Sequence, residues 1–234
     1  MDGIILVDKP SGWTSFDVCA KIRNLSGVKK VGHSGTLDPM ATGLLVVFLG
    51  KATKSIDYFL GGDKGYIAEM TLGVKTDTMD AEGKEIGRIS NFQCPISNEC
   101  NIIFGKYTGE IMQKPPMYSA KKIKGQALYK LARKGIEVER EARPITIHSL
   151  KLLEIIAPDK IRFEVIGSKG TYVRVLASDI GDDLGCGAHL SALQRFYSHP
   201  FHISQALGME TIINLAKIGK LDSVVLPVND FMLK

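Results

Sequence analysis

The sequence predicts an α+β fold in which helices flank a mixed or antiparallel central sheet. Three observations carry that prediction. Strand-like and helix-like segments mix without regular βαβ alternation, and several strands have no helix beside them. A chain of 234 residues, 44% of them apolar, is long enough to enclose a sizeable core. Neither an internal repeat nor a low-complexity linker divides it, so 1–234 reads as a single domain.

The elements follow in order. Gly3–Val7 is a first strand, ended by the turn Lys9-Pro10-Ser11-Gly12. Thr14 or Ser15 caps a helix whose apolar residues Val18, Ile22 and Leu25 share one face, with Gly27 past its end. A glycine-rich loop, Gly32–Gly43, leads into Leu44–Leu49, an all-apolar strand expected to be buried on both faces. Ala52–Leu60 reads as helical. Tyr66–Leu72, Ile145–Leu153 and Ile161–Ile166 alternate in the manner of strands. Gln126–Lys134 reads as a helix stopped by Gly135, Tyr172–Leu184 as another entered through Ser168-Lys169-Gly170, and Glu210–Ile218 as the last.

Composition excludes several classes. No apolar run approaches the roughly 18 residues of a membrane span. The start, GIILVDKPSG, lacks the basic end and long apolar centre of a signal peptide, so a cytoplasmic protein is expected. Cys19, Cys94, Cys100 and Cys186 show no CxxC spacing, and the five histidines show no HExxH pattern. No metal site is expected, and the thiols read as reduced and partly buried. The glycine loop is no nucleotide loop either, because GxGxxG is absent and Gly50-Lys51 lacks the preceding glycine of a P-loop.

Charge is concentrated. The net charge of +5 is smaller than the excess of residues 106–151, which hold 11 basic and 4 acidic side chains. Within Gln113–Lys134 stand Lys114, Lys121, Lys122, Lys124, Lys130, Arg133 and Lys134, with Tyr118 and Tyr129 interleaved and no acid. Such a strip is an electrostatic footprint for a polyanion such as RNA, although a solvated surface can look the same. Bounded by Pro115-Pro116 and Arg143-Pro144, the segment at about 113–143 reads as a basic, thumb-like insertion from the sheet.

In GHSGTLDPMATG a single carboxylate, Asp38, stands among small residues. Pro39 turns Asp38 away from helical dihedrals, and the glycines let backbone approach a bulky ligand. Asp-Pro is also a routine turn dipeptide, so the loop alone does not decide between structure and chemistry.

The residues around it are recognisable. GIILVDKPSGWTS (3–15), VGHSGTLDPMATGLLVVFLGKATK (31–54), YIAEMTLGVKTDTMDAEG (66–83), QKPPMYSAKKIKGQALYKLARKG (113–135), REARPITI (140–147) and GSKGTYVRVLASDIGDDLGCGAHLSALQR (167–195) occur in that order. Over residues 3–195 the sequence resembles the TruB family of tRNA pseudouridine-55 synthases, and the long TSFDV and YKLARKG blocks look bacterial. The resemblance implies the pseudouridine synthase fold and a tRNA substrate, met at its T arm, with neither cofactor nor metal and a monomeric chain. By motif position it implies Asp38 as the nucleophile and Tyr66 stacked on the flipped uracil. It places Tyr172 and Arg174 beside the aspartate, with Arg174 pairing its carboxylate. It gives His33 the displaced RNA bases, Leu193 the wall of the uracil pocket, and Lys9 a supporting role. Lys121, Lys122, Lys124, Lys130 and Arg133 become the RNA-binding residues of the insertion. One departure is Gln194, where many relatives carry a second arginine before Arg195.

Longer relatives end in a PUA domain. Here residues 196–234 are expected to finish the catalytic domain without one, leaving recognition to the T arm.

The chemistry suits this composition. Isomerising uridine breaks the N1–C1′ bond, turns the base and joins C5 to C1′. Nothing is oxidised and no phosphate moves. A glycosidase needs two carboxylates because it must activate water; where the base itself returns, one can serve. Two competing readings remain. A non-catalytic RNA-binding protein or chaperone would need no carboxylate facing its anionic partner, and a nucleosidase would release free uracil.

Overall fold

The computed structural model describes residues 1–89, 91–119, 122–123, 125–132 and 134–232, with 122, 123, 127 and 129 described in backbone alone. The chain divides into two compact units, Met1–Tyr66 with Gln194–Lys234, and Ile67–Leu193.

The first unit opens with β1 (Gly3–Lys9), α1 (Ser15–Ser26), β2 (Val31–His33), β3 (Thr42–Leu49) and α2 (Ile56–Leu60). β1 pairs antiparallel with β3 along its whole length, from Gly3↔Leu49 to Lys9↔Gly43. This pairing carries β1 two residues beyond the expected Gly3–Val7. Because side chains alternate across a strand, two all-apolar strands must be covered twice. Ile5, Val7, Leu45, Val47 and Leu49 pack with Val18, Cys19 and Ile22 of α1. Ile4, Leu6, Leu44, Val46 and Phe48 pack with Ala52, Phe59 and Phe201. α1 forms as its caps dictate: Thr14 accepts the Asp17 N–H at 3.0 Å while the Asp17 carboxylate accepts the Thr14 N–H at 2.9 Å. Gly27 ends the helix at φ 67°. The expected helix Ala52–Leu60 is instead a 3₁₀ turn over Gly50–Ser55 followed by α2, since Gly50 takes φ 62° and its carbonyl accepts the Thr53 hydroxyl.

β4 (Lys64–Leu72) carries the chain into the second unit. There follow β5 (Val74–Thr76), β6 (Glu85–Arg88), α3 (Ser97–Lys106), β7 (Gly109–Gln113), β8 (Lys122–Ile123), β9 (Gln126–Ala127), α4 (Leu128–Ala132), β10 (Arg143–Ile156), β11 (Lys160–Gly167) and α5 (Val173–Asp183). The strand order β4-β11-β10-β7 contains two antiparallel pairs, β11 with β10 and β10 with β7. Ile145, Ile147, Ile161, Phe163 and Val165 fill one side of it, and Phe104 meets Phe163 edge-on at 5.8 Å. α5 presents Val173, Leu176, Ala177 and Ile180 to the core. Arg143 lies opposite Gln113 in the β10–β7 register, so the basic segment leaves and rejoins the sheet at one point. Inside it, the expected helix Gln126–Lys134 shrinks to Leu128–Ala132. Gly125 at φ 81° turns a small hairpin that takes Gln126 and Ala127 into β9.

β12 (Ala188–Ser198) returns the chain to the first unit, where β13 (Phe201–His202), β14 (Leu207–Gly208) and α6 (Met209–Lys217) follow. β12 joins β3 in parallel through Gln194↔Thr42 and Arg195↔Gly43, and β14 joins β1 in parallel. The sheet is therefore mixed, as expected. α6 closes the first core with Met209 and Ile212.

Cys19 and Cys100 are buried free thiols, each pushed up to about 11, chiefly by desolvation; Cys94 and Cys186 are also free. Among the described residues no helix is long and apolar enough to cross a membrane.

Candidate active site

Asp38 sits half-buried in the irregular segment between β2 and β3. Four groups hold the backbone on either side of it. The Ser15 hydroxyl accepts the Leu37 N–H at 2.8 Å and donates to the Leu37 carbonyl at 3.1 Å. The Gly12 N–H donates to the Pro39 carbonyl at 2.8 Å. Lys9, 0% exposed, donates to the carbonyls of Pro10, Trp13 and Pro39 at 2.9, 2.5 and 3.3 Å. Arg195, 1% exposed, donates from Nε to the Leu44 carbonyl at 2.7 Å and from Nη2 to the Gly35 carbonyl at 3.1 Å. The carboxylate therefore stands on a corner whose backbone is tied to β1, α1 and β12, the rigid support a reacting group needs.

Burial shapes the electrostatics of this loop. His33, on β2, has its imidazole held below the ordinary value, first by desolvation and then by the Arg195 charge, against an opposing pull from the Gly35 backbone. That direction favours the neutral ring, and among the described residues its Nδ1 has no partner in hydrogen-bond geometry. A neutral ring suits contact with a base better than contact with a phosphate. Lys64 is also buried and donates to the Leu60 and Gly62 carbonyls at 3.2 and 2.6 Å. Tyr66 is buried, at 8% exposure, and is not a surface group.

The second unit holds the other expected residues. Tyr172 immediately precedes α5 and Arg174 lies in its first turn. The Gln113 side-chain amide grips the Tyr172 backbone twice, accepting its N–H at 2.8 Å and donating to its carbonyl at 3.1 Å. Arg174, 7% exposed, donates from Nη1 to Asp80 Oδ2 at 2.7 Å and from Nη2 to the Tyr118 carbonyl at 2.6 Å. Asp80 is itself 2% exposed, and its Oδ1 accepts the Thr78 hydroxyl at 2.6 Å and the Glu82 N–H at 3.1 Å. Just before it, Met79 takes φ 63°, a conformation rare for a residue with a side chain and concentrated at functional sites.

Lys9, His33, Asp38 and Tyr66 thus lie in the first unit; Tyr172, Arg174 and the half-buried Leu193 lie in the second. Sequence reasoning offers Arg174 only Asp38 as its counter-ion and misses Asp80. The one signal for it is the polar run Thr76-Asp77-Thr78-Met79-Asp80 inside a motif block. Gln113 and Arg195 are missed as well, since neither stands out in composition. Of the insertion residues, Lys130 is exposed on α4; Lys121, Lys124 and Arg133 lie outside the described residues, as does the side chain of Lys122.

Comparison with known proteins shows which proteins the chain is similar to. Residues 23–173 match the family described as TruB family pseudouridylate synthase (N terminal domain). Residues 174–232 match the tRNA pseudouridylate synthase B C-terminal domain. The chain is 45% identical over 233 residues to a protein of Geobacillus thermodenitrificans named tRNA pseudouridine synthase B, covering 97% of this chain and 77% of that one. It is 49% identical over 217 residues to the protein of the same name from Syntrophotalea carbinolica, covering 91% and 69%. Among solved structures it is similar to a Cbf5-Nop10-Gar1 complex, with a TM-score of 0.75 at 29% identity, over 96% of this chain and 60% of that one. An H/ACA RNP bound to a substrate RNA containing 2′-deoxyuridine aligns with a TM-score of 0.71 at 26% identity, over 96% and 59%. The chain therefore spans about three fifths of those structural relatives.

Proposed function

From the premise that the chain belongs to the TruB family of pseudouridylate synthases, we propose that it converts uridine to pseudouridine at position 55, in the T loop of tRNA, with Asp38 as nucleophile. As a tRNA pseudouridine synthase it isomerises a residue without adding or removing an atom overall. The N1–C1′ bond breaks, the base turns within the pocket, C5 bonds to C1′, and the proton lost from C5 is balanced by one gained at N1.

The observation that carries the assignment of Asp38 is the loop around it. A carboxylate with only a structural task needs no backbone braced by Ser15, Lys9 and Arg195 from three separate elements. A group that must meet a sugar or ring carbon at one distance does, because small misplacements are costly in rate. In this reading Asp38 attacks or stabilises the reacting centre, with Arg174 as its counter-ion, itself oriented by Asp80. The target nucleotide is flipped out of the T loop, Tyr66 stacks on it, and Leu193 completes an apolar wall that keeps the detached base from water. His33 meets the bases displaced at the mouth, Tyr172 lies beside the aspartate, and Lys9 holds the turn behind it. The insertion, through Lys121, Lys122, Lys124, Lys130 and Arg133, grips the phosphates of the T arm.

The test is incubation with an unmodified tRNA transcript followed by mapping of pseudouridine. Conversion confined to the T-loop uridine is expected, with the RNA mass unchanged. Free uracil would indicate a nucleosidase. Binding without conversion would leave an RNA-binding protein.

A further inference from the structure

Among the described residues Arg195 is the bulkiest fully buried side chain, and of the groups that brace the Asp38 loop it is the one that reaches it from both ends. Its charge is met by two carbonyls, those of Gly35 and Leu44, and among the described residues no carboxylate lies within ion-pair distance. Burying a guanidinium without an acid is unfavourable, so the fold retains it against a cost that a neutral side chain would avoid. What it gains is shown by the two carbonyls. Gly35 lies before Asp38 and Leu44 lies after it, within the buried part of β3. We propose that Arg195 is a positioning residue for the isomerisation: one guanidinium staples the two ends of the Asp38 loop and so fixes where the carboxylate stands. This rests on the assignment of Asp38 as the reacting group.

The backbone is built for that staple. Arg195 and Gly43 are paired in the parallel ladder, and a side chain at Gly43 would collide with the Arg195 backbone. Gly43 also takes φ 96°, where a side chain is strained in any case. The two strands therefore meet at closest approach just where the loop re-enters the sheet. From that anchor the side chain runs back under the loop, with Nη1 within 3.4 Å of where a Cβ on Gly35 would stand. The guanidinium offers five N–H donors that diverge within one fixed plane; lysine has a single nitrogen and cannot hold both ends in the same geometry. The Arg195 charge also reaches His33 on β2, where it adds to the larger effect of burial in holding the imidazole below its ordinary value.

Arg195→Lys and Arg195→Met separate the possibilities. Single-turnover rates on the unmodified transcript, expressed per folded molecule, are expected to fall at least about tenfold for Lys and about a hundredfold for Met. tRNA affinity by filter binding should stay within about threefold, because the guanidinium is buried away from RNA. A loss of melting temperature with an unchanged rate per folded molecule would reduce Arg195 to a core brace and overturn the proposal. A Lys variant equal to the parent protein would overturn the two-ended staple, and it decides the matter alone if the Met variant fails to fold. The unaltered protein, run beside them, tests the premise: if it makes no pseudouridine, the proposed function fails; if it is active and both variants match it, this inference alone fails.

Discussion

Arg195 and Arg174 are both buried, and the molecule treats their charges in opposite ways. Arg174 faces Asp80, a carboxylate as buried as itself, whose other oxygen is occupied by Thr78 and Glu82. Arg195 donates to two peptide carbonyls, and among the described residues no carboxylate pairs with it. The hydrogen-bonded pair with Asp80 fixes the direction in which the Arg174 guanidinium points. A guanidinium held by dipoles keeps its field, and that field falls on the loop that carries Asp38. The contrast separates orienting a charge from applying one.

The largest effect should come from Asp38, the residue proposed to do the chemistry. Asp38→Asn removes a charge and little shape, so turnover should drop by about a thousandfold or more while tRNA affinity changes only a few-fold. A variant that kept a tenth of the rate in the pseudouridine-mapping assay would leave Arg195 bracing an ordinary turn.

Asp80→Asn sharpens the other half. It leaves Arg174 buried opposite a neutral amide, and breaking such a pair destabilises by about 3–5 kcal/mol. Urea denaturation should show that loss, together with a reduced rate. Arg195→Met strands no partner ion, so it should cost less stability than Asp80→Asn. The reverse order would mean that the two arginines are not balanced as described.

A third prediction sets buried cations against exposed ones. Replacing Lys121, Lys122 and Lys124 together should flatten the dependence of log affinity on log salt by about 0.7 to 0.9 for each phosphate that these lysines neutralise. The rate at saturating tRNA should hardly change. An unaltered slope would make the strip ordinary solvated surface.

The smallest effect concerns like charges on α5. Burial, and then the charges of Asp182 and Asp183, push Asp179 up to about 6, while Lys75 opposes them. The folded chain thus holds this proton more tightly than the unfolded one. Its contribution to stability is fully present below the ordinary carboxylate value and is lost as pH rises through about 6. Asp179→Asn should therefore stabilise the protein at pH 8 by about 1 kcal/mol, a figure discounted for partial exposure, and hardly at pH 4. Equal gains at both pH values, measured by thermal melting, would show that packing and not charge is responsible.

Sequence by itself determined whatever depends on neighbours along the chain. Thr14 or Ser15 and Gly27 bound α1, the apolar run of β3 demands cover on both faces, and the ordered motif blocks identify the family. Each rests on a helical or strand period, on a cap, or on spacing, and all of these are local. Only the tertiary structure decided who neutralises whom. Arg174 meets Asp80 across a separation of 94 residues, Gln113 grips Tyr172 across 59, and Arg195 reaches Gly35 across 160. Nothing in the periodicity of any of these segments encodes the partner. The same limit explains why Gln126 and Ala127 joined a strand when their composition suggested a helix. A side chain shows whether it must be satisfied once buried. Which group satisfies it depends on the register and crossing of strands far apart in the chain, and that is settled when the whole core closes.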